Sequence, residues 1–363
     1  MIQIDVDNIV YKERLLLNGY SGVNETSQYA IPSLFPMYSG MGGSVFLDDN
    51  YGRFYDLVHL NSCWGTYGRP NMPFYNHGAC IKLPVVDEFH VPYRRIPVYK
   101  IASLSQIRSY LHDMQECIPD QKILLRGQNQ SYELQRKDSN EYMQFYAAPC
   151  VKEPSFLPSM ARRELNYYDT VSVWHNLSAL LLERLKKKHP KIDETIRLTE
   201  RFHLLSLAIA QHYGLPSVGL DLTDDPSVAL WFALYKAKYS SSKPVSATLV
   251  EETCDTANIY VFRCDSRAYF KFTDVVGDIG MNRPTAQHAY FNHCGWGVSK
   301  NQLALQLICA FRVNRAMANE LSEDYIHTLF PKKEDDEVLQ ALLEIRDMYI
   351  DTPIAPLLNN IYL

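Results

Sequence analysis

AQHYGLPSVGLDLTDDPSVALWFA, residues 210–233, reads as the end of one helix, a buried strand and the start of a second helix. Ala210 closes an apolar stripe that begins at Asp193, with Ile196, Phe202, Leu205 and Ile209 at helical spacing and Asp193 placed as the cap. Gly214 and Pro216 end that helix, and Ser217 to Thr223 is compatible with a buried strand. Asp224 or Asp225 followed by Pro226 signals a new helix, because proline lacks an N–H that the first turn would leave unbonded. The following helix, Ser227 to Lys236, carries Val228, Ala229, Leu230, Trp231, Phe232 and Leu234 on nearly every face. It is therefore expected to be central, with Trp231 and Phe232 in the core.

Upstream, Pro97 to Ile101 is extended and Ser103 to Gln115 reads as an amphipathic helix, with Leu104, Ile107, Leu111 and Met114 on one stripe and Ser103 as cap. Lys122 to Leu125 is a short apolar strand that runs into Arg126, Gly127 and Gln128. Gln135 to Glu153 is polar and reads as an insertion; Leu177 to Lys188 is helical, and its basic end, Lys186 to Lys188, reads as a solvated terminus. Downstream, Ile259 to Phe262 and Leu305 to Phe311 are strand-like, with Arg283 to Phe291 between them, and Glu337 to Tyr349 is a final helix. Strands and helices interleave without a repeat, which predicts an α+β (mixed α/β) fold, and no GxGxxG fingerprint is present. From Leu17 to Pro73, Gly, Pro, Asn, Ser and Tyr predict short strands and ordered loops, and Gly40, Gly42 and Gly43 read as a turn. The expected division is a Tyr/Gly-rich extension over residues 1–99, a main domain over 100–345 and a tail over 346–363.

The 363 residues are 47% hydrophobic, enough for a large core, and the net charge of -5 gives no support to binding a polyanion through the field of the whole molecule. Eight scattered cysteines form no CxxC pair and have no histidine at zinc-ligand spacing, so no metal site is expected. Acidic residues near Met1 and the lack of any long apolar run predict a cytoplasmic protein with no membrane contact.

Several segments together resemble one family, the FRG domain. Leu125, Arg126, Gly127 and Gln128 resemble the motif that gives it its name, and Ser155 to Ser159 with Arg162 and Arg163 is similar to its "LLPS…R" segment. Residues 210–216, 220–226 and 229–233 are the strongest match, with Ser217, Val218 and Gly219 where the family usually has Thr-Arg-Leu. Asn282, Arg283 and Gln287 resemble its "NRxxxQ" segment, and Leu321, Thr328, Leu329, Phe330 and Pro331 its "LFP" tail.

The order of elements also resembles the ADP-ribosyltransferase fold, a split sheet flanked by helices. That resemblance implies a NAD-consuming transferase or NAD glycohydrolase, of the sort met as a bacterial toxin or phage-defence effector, with an unidentified protein or nucleic-acid acceptor. It places Arg126, Gly127, Gln128, His212, Tyr213 and Arg283 around NAD, and Gln287, Asp221 and Thr223 at the reacting ribose. Gln287 stands where the resemblance would want a glutamate, and Asp221 is the residue able to supply the missing charge. Each residue also has a plainer reading: Arg126 paired to Asp221 across two strands, His212 and Tyr213 in the core, Asp221 and Thr223 as turn and cap, Arg283 and Gln287 as strand polars. His293 and Cys294 suggest a nucleophile but have no evident partner. The alternative function is a non-catalytic module that senses or binds a nucleotide or nucleic acid, and residues 1–99 are a candidate surface for a protein partner.

Overall fold

A computed structural model describes residues 2–4, 45–48, 53–56, 83–91, 94–119, 121–136, 142, 150–162, 167–190, 209, 211–251, 256–264, 269–271, 281–293 and 301–363. Strands β1 (Ile2–Ile4), β2 (Val45–Asp48) and β3 (Arg53–Asp56) form a small antiparallel sheet. There follow β4 (Val85–Val91), β5 (Arg94–Lys100), α1 (Leu104–Cys117), β6 (Lys122–Gln128), α2 (Tyr167–Lys188), β7 (Gly219–Thr223) and α3 (Pro226–Leu234). Next come β8 (Tyr235–Lys238), β9 (Ser246–Leu249), β10 (Asn258–Cys264), β11 (Tyr269–Lys271), α4 (Asn282–Ala286) and β12 (Ala289–His293). The last elements are β13 (Leu307–Arg312), α5 (Tyr325–Leu329), α6 (Glu337–Met348) and α7 (Ala355–Leu358). The fold is α+β, built on a large mixed sheet with helices packed against it.

The main sheet runs β11-β12-β7-β6-β10-β13-β5-β4, and only β13 with β5 is parallel among its described pairings. β6 pairs with β10 along its whole length, and β7 pairs with β12 from Gly219 to Thr223. Between β6 and β7, by contrast, one register pair joins the strands, Leu125 with Thr223. The single eight-stranded sheet is therefore most sparsely paired between β6 and β7, and beyond this position the two strands part.

The period of two along each strand sends alternate side chains to opposite faces. Ile123, Leu125, Ile259 and Val261 pack with Ile107 and Met114 of α1 and with Ala229, Leu230 and Ala233 of α3. Leu124, Tyr260 and Phe262 lie on the other face with Phe89, Phe156 and Leu222. A third apolar cluster joins Leu181 and Leu185 of α2 to Val338, Leu342 and Ile345 of α6 and to Phe291 of β12.

Local signals explain the helix starts. The Ser103 side chain accepts from the Gln106 N–H at 3.2 Å while the Gln106 amide accepts from the Ala102 N–H, a reciprocal cap contributing about 1 kcal/mol. Asp225, not Asp224, caps α3, accepting from the Ser227 N–H at 2.7 Å, with Pro226 in the first turn.

Gly127 explains why α3 lies so close to β6. A Cβ at this position would sit 1.9 Å from the Ala229 carbonyl oxygen and 2.7 Å from the Ala233 nitrogen. The glycine on the strand and the two alanines one turn apart on the helix thus form a single backbone-to-backbone interface.

Several expectations change. The helix after Pro226 stops at Leu234, and Tyr235 to Lys238 pair with β9 instead. α2 begins ten residues before Leu177, at Tyr167, and Leu305 belongs to a 3-10 turn ahead of β13. Arg283 is helical, in α4, and not in a strand. The boundary expected near residue 99 falls inside β5, because β4 and β5 extend the main sheet, and Leu358 and Ile361 of the expected tail are fully buried in the core. Gly40, Gly42, Gly43, Cys294 and most of the helix expected from Asp193 to Ala210 lie outside the described residues; Ile209, Gln211 and His212 are helical.

Candidate functional site

Where β6 and β7 part, a cavity of about 190 Å³ is lined by Arg126 and Gly127 of β6, Asp221 and Thr223 of β7, His212, and Gln287. Phe232 of α3, Tyr239, Phe330 and Tyr362 complete its walls. The guanidinium, carboxylate, hydroxyl and amide picked out from widely separated parts of the sequence therefore meet in one place.

Arg126 is held by the strand opposite. Its Nη1 donates to the main-chain carbonyl of Asp221 at 2.6 Å, so the expected pairing across strands exists but uses the backbone and leaves the Asp221 carboxylate otherwise disposed. That carboxylate approaches His212, with Oδ1 3.3 Å from Nε2, yet Oδ1 accepts no hydrogen bond from the described residues. Among the described residues, Asp221 is the only carboxylate lining the cavity.

His212 is almost completely buried. Burial pushes its pKa down, the nearby Asp221 pulls it up, and the net shift is downward, so the ring is neutral near pH 7. It contributes a polar edge to the cavity without adding positive charge.

Thr223 and Gln287 are tied together. The Thr223 hydroxyl donates to the Gln287 main-chain carbonyl at 2.9 Å and accepts from the Asp225 N–H at 3.1 Å. Its proton is therefore committed to the fold, and the capping reading describes it better than contact with a reacting ribose. Gln287 in turn donates from Nε2 to the Leu329 carbonyl at 3.0 Å, which fixes its amide at the cavity wall. The plainer sequence reading took Gln287 as a strand polar; it instead terminates α4, and His288 follows with φ 47°, a left-handed turn that reverses the chain into β12.

Gln128, Tyr213 and Arg283 do not line the cavity. Gln128 ends β6, one residue past Gly127. Tyr213 is fully buried, and its hydroxyl donates to the buried Asp336 carboxylate, 2.9 Å from each oxygen, which with burial raises its pKa well above the usual value. Asp336 also accepts from the Arg283 and Leu339 main-chain N–H groups, capping α6.

The Arg283 guanidinium is fully buried among three rings, 4.7 Å from that of Tyr362, 5.0 Å from Tyr213 and 5.8 Å from Phe330. It stands behind two walls of the cavity as packing. Gly214, with φ 106°, turns the chain here against residue 360, where a Cβ would meet the Asn360 carbonyl oxygen at 2.1 Å.

Sequence reading missed the aromatic walls. Phe232 was assigned to the core and is a cavity residue, whereas Trp231 is buried as expected. Tyr362 is fixed by non-local bonds, its N–H to the Tyr213 carbonyl at 3.2 Å and its hydroxyl to the His212 carbonyl at 2.9 Å, and Tyr239 lies against it with ring centroids 4.4 Å apart. Neither tyrosine carried a sequence signal, whereas Phe232 and Phe330 both stood in quoted motifs.

Together these groups form an aromatic slot with one guanidinium, one carboxylate and one fixed amide at its polar edge. Such a set suits a flat heterocycle attached to a sugar and phosphate, since arginine gives directed bonds to phosphate and the acceptors receive sugar hydroxyls. Among the described residues no helix is long and apolar enough to cross a membrane.

No curated protein and no solved structure matches the chain. Arg126 and Gln287 lie outside the stretch that a family model recognises, whereas His212, Asp221, Thr223, Phe232 and Tyr239 lie within it. Residues 151–242 match the model of the FRG domain, and the chain carries an FRG domain.

Proposed function

We propose that the chain is a NAD-consuming enzyme of the ADP-ribosyltransferase kind, acting at the cavity where the sheet splits. The observation that supports this most is the convergence of Arg126, Asp221 and Gln287 on one aromatic-walled cavity. Loss of nicotinamide from NAD breaks the bond between ribose C1′ and the ring nitrogen, and the electron pair departs with the ring while positive charge gathers on the ribose. Arg126 anchors a phosphate, which fixes the ribose in place. Asp221, whose Oδ1 lacks a hydrogen-bond donor, sets a negative charge where the positive one develops. Gln287 accepts from a ribose hydroxyl and orients it, as a glutamate would, without the charge. Thr223 holds Gln287 and does not touch the ligand. The vacated C1′ then takes water or a nucleophile from a protein or nucleic-acid acceptor.

Incubation of the purified protein with NAD tests this reading. The wild type releases nicotinamide, and Arg126→Ala and Asp221→Asn each lower the rate by about 10²-fold or more. Absence of release from the folded wild type, with no acceptor needed for a hydrolytic turnover, contradicts the enzyme.

A second reading has a specific observation behind it, the neutral side chain of Gln287. A site with one carboxylate fewer than expected suits a sensor that binds the nucleotide and leaves it intact. A rise in melting temperature with NAD, dependent on Arg126 and without nicotinamide release, would select it.

A further inference from the structure

Beside the first cavity lies a second one of about 500 Å³, and Arg126, Asp221, Tyr239 and Tyr362 border both. The inner space, about 190 Å³, is smaller than the roughly 300–1,000 Å³ of ordinary small-molecule sites, so a ligand seated there extends outward. The two spaces differ in chemistry. Aromatic rings dominate the inner walls, while the outer ones carry the Arg162 guanidinium, the hydroxyls of Ser159, Ser240 and Ser241, and the amides of Asn359 and Asn360.

The outer walls are also fixed in place. The turn Ser159–Arg162 is pinned to the segment entering β7, since the Ser159 hydroxyl accepts from the Ser217 N–H at 2.7 Å and the Met160 N–H donates to the Ser217 carbonyl at 3.1 Å. Across the opening, the Ser240 carbonyl accepts from the Leu363 N–H at 3.0 Å and the Ser241 carbonyl from Arg346 at 3.1 Å. Arg162, Ser240 and Ser241 all fall in the stretch that matches the FRG domain.

We infer that the outer cavity is the subsite for the distal nucleoside phosphate of a dinucleotide, with Arg126 and Arg162 dividing the two phosphates between them. Two guanidinium groups match the double negative charge of a pyrophosphate, and the Ser241 hydroxyl and Asn359 amide suit the hydroxyls of a second ribose and the edge of its base, whereas the side chains of Ser159, Ser240 and Asn360 bond within the fold. The inference rests on the nucleotide reading of the inner cavity and adds to it that a dinucleotide is selected over a mononucleotide.

Calorimetric titration of the full chain with nicotinamide mononucleotide and with a NAD analogue carrying a non-cleavable carbocyclic ribose tests it. The wild type binds the dinucleotide at least tenfold more tightly, and Arg162→Ala removes that advantage while the mononucleotide Kd stays the same. Ser241→Trp, at an exposed position, fills the outer cavity and does likewise, which covers the case of an Arg162 variant that fails to fold. Equal affinity for the two ligands in the wild type, or dinucleotide binding that both folded variants retain, overturns the subsite and leaves the inner site standing. Failure of the wild type to bind either ligand overturns the nucleotide reading itself, and the subsite with it.

Discussion

The Thr223 hydroxyl donates to the main-chain carbonyl of Gln287, 64 residues further along the chain, at 2.9 Å. Because Thr223 is also the residue paired with Leu125 across the split, this bond fixes Gln287 relative to β6. Thr223→Val keeps the shape but leaves the Gln287 carbonyl and the Asp225 N–H without this partner. The expected loss is about 1–3 kcal/mol in the urea-unfolding free energy, largely restored by Thr223→Ser.

Gln287→Glu will not convert the site into a better enzyme. Nε2 of Gln287 donates to the Leu329 carbonyl, and a carboxylate there sets oxygen against oxygen in a buried place. We expect about 1–3 kcal/mol of destabilisation and no gain in nicotinamide release; a stable, faster variant would show that the amide is not structurally required.

Gly127→Ala drives a methyl group into the backbone of α3, 1.9 Å from the Ala229 oxygen. Relief requires the helix to move off β6, at a cost of about 3 kcal/mol in denaturant unfolding. A variant as stable as the wild type would mean that α3 is not packed on the strand as described.

Acid weakens the protein in a defined window. His212 and His90 are buried and both titrate below their usual 6.5, burial being the main cause in each. The unfolded chain therefore takes up protons near pH 6.5 that the native state resists, and stability falls as pH drops from about 6.5, with a slope of up to about 1.4 kcal/mol per pH unit for each histidine. Asp87 and Asp224 have lowered pKa values, because hydrogen bonds to lysine, arginine or tyrosine outweigh the effect of burial, so their contribution is lost only below about 3.8. Urea midpoints measured between pH 7 and 5 isolate the histidines: the midpoint drops, and His212→Gln flattens the slope. A midpoint that rises toward pH 5 contradicts the neutral, buried state.

The sequence made some of this structure legible and hid the rest for identifiable reasons. Ser103 and Asp225 announced their helices because a cap is a local interaction, the strand at Lys122 followed from a short apolar run, and the helix at Glu337 from apolar residues at helical spacing. α4 escaped because five residues are too short for a period, and Pro284 inside it is tolerated only because first-turn N–H groups have no helical partner.

Gly127 and Ala229 were each visible as motif residues, but not that they touch, since the contact depends on α3 folding back over β6. Tyr362 lay wholly outside reach. Its place is set by bonds to Tyr213 and His212, about 150 residues away in sequence. Arg126, Asp221 and Gln287 were picked out by resemblance, and the single pair Leu125 and Thr223, which brings them together, has no local signature.

The most direct test is a crystal structure of the protein with the non-cleavable NAD analogue. The account predicts one bound molecule at the parting of β6 and β7, its nicotinamide among Phe232, Phe330 and Tyr362, and a phosphate within hydrogen-bond reach of Arg126. A ligand bound elsewhere, or Arg126, Asp221 and Gln287 facing separate spaces, would contradict it.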